Sequence, residues 1–378
     1  MIKSIKTTYT RKDTIDFIID DDAEMAWLAD FDSSGFERLF IVIDKEVSRL
    51  WGRKIKKNLE SHKKEIFLFE AEASENSKSL LFYPELVNFL ESRKCSLSDL
   101  VIAVGGGIII DLVSFTCSTY MRALKFYAVP TTLIGQIDAS TAGKTCLNTA
   151  KSKNLLGTFY YPLKVYSNIN FLRTNSKYHL RQGHSEIFKY GLLGSAKLIG
   201  MMQSYSKKPS TQMLMEIIRL ATETRIKIRK INPLASNLGH TFGHAIEKIS
   251  NFEILHGDAI SAGTVMSLHF SKKVSIIDGK SISAIMGMMK ELKLNIYIDR
   301  NLDINKLVEI MGRDKKSSST GTNLVLIRGI SKPYSIRGSY FYRTTPDFLR
   351  SFLKEFMAGY KYLVPDCANF IKKEELEY

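Results

Sequence analysis

His240 and His244 stand four residues apart in SNLGHTFGHAIEK, and His256 follows in EILHGD, so three of the chain's seven histidines share one short stretch. Side chains at i and i+4 lie on one helix face and reach a common ion. Imidazole is a common zinc ligand and, once protonated, a donor to anions, so the cluster suggests a metal or a phosphate site. The same spacing also occurs on solvated helix faces, and on spacing alone all three readings stand open. Thr241, not glutamate, follows His240, which removes the zinc-protease pattern and with it peptide hydrolysis.

A second candidate site is the glycine triplet of VIAVGGGIIID, Gly105 to Gly107, placed after an apolar strand and before an apolar helix start. Glycine there allows a tight turn, and the helix N-terminus offers unpaired N–H groups to a pyrophosphate. The triplet is not the GxGxxG fingerprint, and a structural turn explains it equally well. Upstream, Asp44 ends the strand LFIVID, where a carboxylate is placed to bind a ribose hydroxyl.

The elements that must position these groups change character along the chain. Up to about residue 170, short apolar runs (RLFIVID, EIFLFEA, LVIAVGGG, KFYAVPTT) alternate with helical patterns, which predicts a parallel α/β sheet covered on both faces. From about Lys177 the periodicity is mainly helical, as in LMEIIRLATETRIKIRKI. The expected organisation is an α/β domain over residues 1–175 and an α-helical domain over 176–378.

Bulk properties narrow the partners. Fifty-four Lys and Arg against 39 Asp and Glu give a formal charge of +15, attractive to phosphorylated or carboxylated molecules and to nucleic acid alike. The basic residues are spread along the chain with no arginine-rich run or aromatic-basic motif, so nucleic acid is not an expected partner. Four scattered cysteines without a CxxC pair argue against a zinc ribbon or disulfide framework. No signal-peptide core or membrane-length apolar run is present, and a cytoplasmic protein without membrane contact is expected.

Six stretches occur in one order at sensible separations: VIAVGGGIIIDLVSFTCSTYMRALKFYAVPTTLIGQIDASTAGKTCLN, SKNLLGTFYYP, LRQGHSEIFKYG, NLGHTFGHAIE, LHGDAISAG and GRDKKSSSTGTNLVLI. Together they resemble the sugar-phosphate cyclases, the family of 3-dehydroquinate synthase, from about Asp44 to about Ile330. The resemblance implies a dehydroquinate synthase-like fold. An N-terminal NAD-binding, Rossmann-like α/β domain precedes a helical domain, with NAD+ and a divalent metal, zinc or cobalt, as cofactors. It implies Glu186, His240 and His256 as metal ligands, and Asp44, Glu75, Lys78, Gly106, Gly107, Asp111, Thr131, Thr132 and Thr174 as cofactor-binding residues. Asp138, Lys144, Lys189, Asn237 and His244 match the family's catalytic positions. Lys153, Asn154, Arg225 and Lys316 match its substrate positions, with Arg122 reaching the neighbouring subunit's site of a homodimer.

The family reaction oxidises a substrate hydroxyl, eliminates phosphate, returns the hydride and closes a carbocycle by intramolecular aldol addition, so the expected activity is that of a carbon–oxygen lyase. One region departs from the pattern. Arg225 stands at a lysine position, the following loop is shorter, and Pro233, Leu234 and Ala235 occupy the place of a second carboxylate-binding arginine. Ile110, Ala142 and Ser152 replace common glycines, and His184 and Ser185 replace a small or apolar pair. The substrate is therefore either 3-deoxy-arabino-heptulosonate 7-phosphate or another sugar phosphate, as in a cyclitol or aminocyclitol synthase. Two further classes compete: a metal-dependent NAD alcohol dehydrogenase of the glycerol dehydrogenase type, and a non-catalytic binding paralogue.

Overall fold

The structure is a computed structural model that describes residues 14–74, 77–149, 154–313, 321–369 and 371. Its chain forms two compact units, Met1–Thr131 with Ala139–Asn168, and Thr132–Asp138 with Ile169–Tyr378.

The first unit runs β1 (Asp16–Asp20), α1 (Trp27–Asp30), β2 (Leu39–Asp44), α2 (Lys45–Glu60), β3 (Ile66–Ala71), α3 (Tyr83–Ser92), β4 (Leu100–Gly105), α4 (Gly107–Thr119), β5 (Phe126–Pro130) and β6 (Lys164–Asn168). Its six strands are all parallel, in the order β1-β6-β5-β4-β2-β3. LFIVID of β2 and LVIAVG of β4 are buried along their whole length, as an interior strand covered by helices on both faces requires. The edge strand β3 alternates in exposure instead. Phe40 and Val42 pair with Val101 and Ala103, and all four pack in one apolar cluster with Ile109 and Val113 of α4.

Strand order reverses between β2 and β4, since the chain steps outward from β2 to β3 and then returns to the other side of β2. In an open parallel sheet this reversal leaves a crevice at the strands' carboxyl ends, the usual ligand position. Asp44 closes β2 and Gly105 closes β4, so both sequence-predicted features sit there. Gly105 is forced by packing: a Cβ would stand 2.7 Å from Cβ of Ile109.

The second unit contains α5 (Leu133–Ile137), α6 (Lys177–Gly194), α7 (Ala196–Lys207), α8 (Thr211–Ile231), α9 (His240–Ile249), α10 (His256–Lys273), α11 (Gly279–Glu291), α12 (Ile304–Gly312) and α13 (Pro346–Gly359). Ser176, Ser195, Ser210 and Asp278 cap α6, α7, α8 and α11 by accepting backbone N–H bonds, which fixes where each helix begins. Every residue of α10 from Gly257 to Leu268 is buried, and α6, α9, α11 and α13 pack around it. No helix among the described residues is long and apolar enough to cross a membrane.

The approach of α9 to α10 is backbone on backbone. Gly239, at φ 76°, begins α9 in the left-handed region, and Gly263 of α10 lies against it. A Cβ on Gly263 would fall 2.1 Å from the Gly239 carbonyl oxygen and 2.7 Å from the Gly243 nitrogen. Neither neighbour is a side chain that can swing away. Gly263→Ala is expected to cost about 3 kcal/mol of unfolding free energy, the upper end for overpacking a core. A urea midpoint equal to the parent's would show that the two helices separate freely.

Candidate active site

Three helices of the second unit deliver the ionisable cluster: α6 brings Glu186 and Lys189, α9 brings His240 and His244, and α10 begins with His256. Glu186 is wholly buried, and its Oε1 has no hydrogen-bond partner among the described residues. His256 Nε2 lies 3.6 Å and His240 Nε2 3.9 Å from that oxygen. One donor atom from each of the three residues falls within 4.8 Å of the others.

The far side of each ring is fixed by a hydrogen bond. His240 Nδ1 lies 3.1 Å from the Leu238 carbonyl, and His256 Nδ1 lies 3.3 Å from both oxygens of buried Glu247. With Nδ1–H donating outward, both rings turn Nε2 toward the carboxylate oxygen that lacks a partner. Burial, reinforced by Lys189, His244 and His256, pushes the His240 pKa well below its ordinary value, so the ring is neutral. A buried carboxylate oxygen that lacks a hydrogen-bond partner and faces two imidazole nitrogens is a setting that a cation would complete. The donor set, two imidazoles and one carboxylate, fits zinc or cobalt with a coordination position left open.

Lys189 donates to the other Glu186 oxygen, Oε2, and both side chains are almost fully buried. Beside them lies a second charged group. Asp138, at the end of α5, accepts from Arg225 Nε and, at 2.8 Å, from Tyr190 Oη. Burial raises the Asp138 pKa, but the Arg225 and Lys189 cations more than reverse this and hold it well below the carboxylate range. Asp138 is thus an anionic acceptor, and Arg225, only 4% exposed, has its charge balanced by that carboxylate.

The loop after α8, residues 232–239, carries no lysine or arginine to set beside Arg225. Residues 232–239 close through tight turns, in which Ala235 N–H donates to Asn232 O (3.0 Å) and Asn237 N–H to Leu234 O (3.1 Å). Ala235 and Leu238 turn inward and are buried. Asn237 is buried, and its carbonyl accepts from His240 N–H at 3.2 Å. His244 stacks 5.9 Å from His256 and meets His240 edge-on at 5.1 Å, so the three histidines form one group.

The first unit assembles most of the remaining residues. Asp44 caps α2, its Oδ1 accepting from Glu46 N–H (2.8 Å) and Val47 N–H (3.0 Å). Gly106 precedes α4 in an extended conformation, and Thr131 N–H donates to Gly105 O at 2.9 Å. Lys78 and Asp111 form a buried ion pair, with Cys146 Sγ 3.5 Å from the same carboxylate. Lys144 is half-buried, and the Oδ1 of Asn154 is buried with no partner among the described residues. Arg122 is exposed on a turn in which it and Met121 both take positive φ.

Two of the positions expected to bind the cofactor fall in the second unit. Thr132 caps α5 by accepting from Gly135 N–H at 3.2 Å, and Thr174 Oγ1 donates to Phe171 O at 2.9 Å. Glu75, Lys153 and Lys316 lie outside the described residues, as does Ser152. Ile110 and Ala142 are buried, and Ser185 Oγ accepts from Ser261 Oγ at 2.9 Å, tying α6 to α10 beside Glu186.

Comparison with known proteins places this arrangement. The family model described as 3-dehydroquinate synthase N-terminal matches residues 68–182, and the C-terminal model matches 183–317. The 3-dehydroquinate synthase of Clostridium perfringens (strain 13 / Type A) is 32% identical over 302 residues, 78% of this chain and 84% of that protein. The chain belongs to the 3-dehydroquinate synthase family. It is an enzyme of the phosphate-eliminating cyclase type, and the family fold recurs in solved structures of lower identity. A 2-epi-5-epi-valiolone synthase from Streptomyces hygroscopicus subsp. jinggangensis 5008, solved with NAD+ and Zn2+ bound, superimposes with a TM-score of 0.82 at 23% identity, covering 94% of this chain and 99% of that one. A 2-deoxy-scyllo-inosose synthase complexed with carbaglucose-6-phosphate, NAD+ and Co2+ gives 0.79 at 18% identity, covering 90% and 96%.

Sequence reasoning passed over Glu247 and Tyr190. Glu247 stands in the motif GHAIE, one helical turn beyond His244, and a buried glutamate there gave no signal until the fold brought it to His256 Nδ1. Tyr190 follows Lys189, and only its contact with Asp138 marks it. Glu247 orients the His256 ring, so Glu247→Gln is expected to weaken binding of Co2+ to the purified protein about 10- to 100-fold. Titration by the visible absorption of Co2+ reads this directly, and parent-like affinity would remove Glu247 from the site.

Proposed function

We propose that this chain is an NAD+- and divalent-metal-dependent sugar-phosphate cyclase whose substrate lacks the carboxylate of 3-deoxy-arabino-heptulosonate 7-phosphate. The observation that carries the metal assignment is the unbonded, buried Oε1 of Glu186 facing His240 and His256. Bound zinc or cobalt would supply a Lewis acid there, and NAD+ a reversible hydride acceptor.

The chain's own residues do the rest. Asp138, held anionic, accepts a hydrogen bond from a substrate hydroxyl and orients the ring. Lys189 donates to oxyanions developing at the oxidised carbon, its ammonium lying within a buried, low-dielectric setting where it acts strongly. With NAD+ bound, oxidation of one hydroxyl would acidify the neighbouring C–H, the leaving phosphate would take that proton as it departs, and return of the hydride would leave NAD+ unconsumed. His244, with Lys144, Asn154, Lys153 and Lys316, supplies the donors that a doubly charged phosphate requires. Arg122 serves the phosphate of the neighbouring protomer in a homodimer.

Arg225 decides the substrate. Its charge is already balanced by Asp138, and Pro233, Leu234 and Ala235, none of them cationic, occupy the loop before Asn237. A substrate carboxylate would meet no uncompensated cation from this loop, and each lost charge-assisted hydrogen bond costs about 1.5–3 kcal/mol. The second reading, 3-deoxy-arabino-heptulosonate 7-phosphate itself, is favoured by the 32% identity to a 3-dehydroquinate synthase.

The two readings separate in one assay. Protein loaded with NAD+ and Co2+ is given sedoheptulose 7-phosphate or 3-deoxy-arabino-heptulosonate 7-phosphate, and phosphate release and product mass are followed. The expected kcat/KM favours sedoheptulose 7-phosphate by about tenfold or more, the factor for one charge-assisted bond. The reverse preference, with dehydroquinate as product, would establish the second reading. Accumulation of NADH without phosphate release would overturn both in favour of a dehydrogenase.

A further inference from the structure

Within the helical unit lies a cavity of about 840 Å³ that none of the site residues described above lines. It is walled by α6, α7, the start of α8 and the segment that follows α11. The volume falls within the range of sites that bind small organic molecules, roughly 300–1,000 Å³. Its floor is apolar: Leu180, Met202, Ile217, Leu294 and Ile296 contribute aliphatic surface, and Tyr205 an aromatic ring. Its rim is cationic, with Lys177, Arg181, Lys207, Lys290 and Lys293 set against one carboxylate, Glu291.

That carboxylate is already committed, since Lys207 Nζ lies 2.9 Å from it. Lys177 has no ion-pair partner among the described residues, and Lys290 donates to the Tyr362 hydroxyl. The rim therefore keeps an excess of positive charge above a greasy floor. Such a surface is complementary to one ligand chemistry, an apolar body ending in an anionic group.

Two walls of the cavity also hold the helices that carry the metal ligands. Arg181 and His184 line it from α6, two to five residues before Glu186 and on another side of that helix. Arg181 grips Asp258 in the first turn of α10 through Nε (2.9 Å) and Nη2 (3.1 Å), two residues after His256. Gln182 Nε2 donates to the same carboxylate at 2.8 Å, and Asn295, another lining residue, donates to the Asp258 carbonyl at 3.1 Å. Asp258 is fully buried and needs these partners. An anion drawn to Arg181 competes with Asp258, and any adjustment is passed to both Glu186 and His256.

We propose that this cavity is an effector site for an amphipathic anion, coupled to the metal ligands through the Arg181–Asp258 clasp. The cavity itself is independent of the substrate assignment, and only the coupling rests on the reading of Glu186, His240 and His256 as a metal site. By linkage, a ligand that changes metal affinity has its own affinity changed by the same factor.

The probe is 8-anilino-1-naphthalenesulfonate, an aromatic anion whose fluorescence rises in apolar surroundings, added to the full chain saturated with NAD+ so that the nucleotide turn is closed to it. One saturable site is expected, displaced by 2-naphthoate and by decanoate but not by uncharged 2-naphthalenemethanol. Lys177→Glu with Lys293→Glu, both at exposed positions, should weaken the probe about tenfold or more, and Met202→Trp should fill the floor and abolish binding. Displacement by naphthoate alone would narrow the ligand to aryl anions, and by decanoate alone to acyl anions. Co2+ affinity measured with and without saturating probe should differ by at least about fivefold, the lower limit for allosteric coupling. Unsaturable binding, or binding indifferent to the double charge reversal, would overturn the site. Saturable binding with unchanged Co2+ affinity would overturn the effector role while leaving the substrate proposal untouched.

Discussion

The structure of the helical unit turns on one buried charge. Glu186 lies fully inside on α6, with one oxygen given to Lys189 and the other, which has no hydrogen-bond partner among the described residues, facing two imidazole nitrogens. An anion in that position is tolerable only if the surroundings deliver a cation to it, and everything nearby serves that end. The bonds on the far sides of His240 and His256 set the tautomers. The glycine contact between α9 and α10 sets the ring separation, because any larger residue at Gly263 would force the helices apart. Asp258, gripped from α6 and sitting two residues beyond His256, locks the third helix to the first.

The α/β unit solves a different problem with the backbone. A parallel sheet places the free carboxyl ends of its strands together, and the reversal of order between β2 and β4 opens room for a ligand there. The polar groups at that end are engaged: the Asp44 carboxylate with backbone N–H groups of its own helix, Lys78 with Asp111, and the Thr131 backbone N–H with the Gly105 carbonyl. A site prepared this way holds its shape before a ligand arrives, which reduces the ordering cost of binding.

Charge compensation also governs the surroundings of Asp138. Asp138 and Arg225 face each other with the Tyr190 hydroxyl between them, so the arginine enters the site neutralised. Related enzymes that bind a carboxylate at this place need positive charge to spare. The short connection between α8 and α9 turns through Asn232, Leu234 and Asn237, and it has neither the length nor the residue types to bring a second cation.

Much of this was legible in the sequence because its signals are local. Continuous apolar runs predicted buried parallel strands, and the glycine triplet predicted the turn after β4. The i, i+4 spacing of His240 and His244 put both on one face, and ordered motifs gave the family. Three matters waited for the tertiary structure, for a common reason. Glu247 had to be brought to His256, Tyr190 and Arg225 to Asp138, and Arg181 to Asp258 across 77 positions of chain, and no local period encodes such pairs. The sequence by itself determined which elements form and which residue types they carry. Only the packing of α6 against α9 and α10 decided which buried charges meet, because compensation of a charge depends on distance in space, where neighbours in sequence count for little.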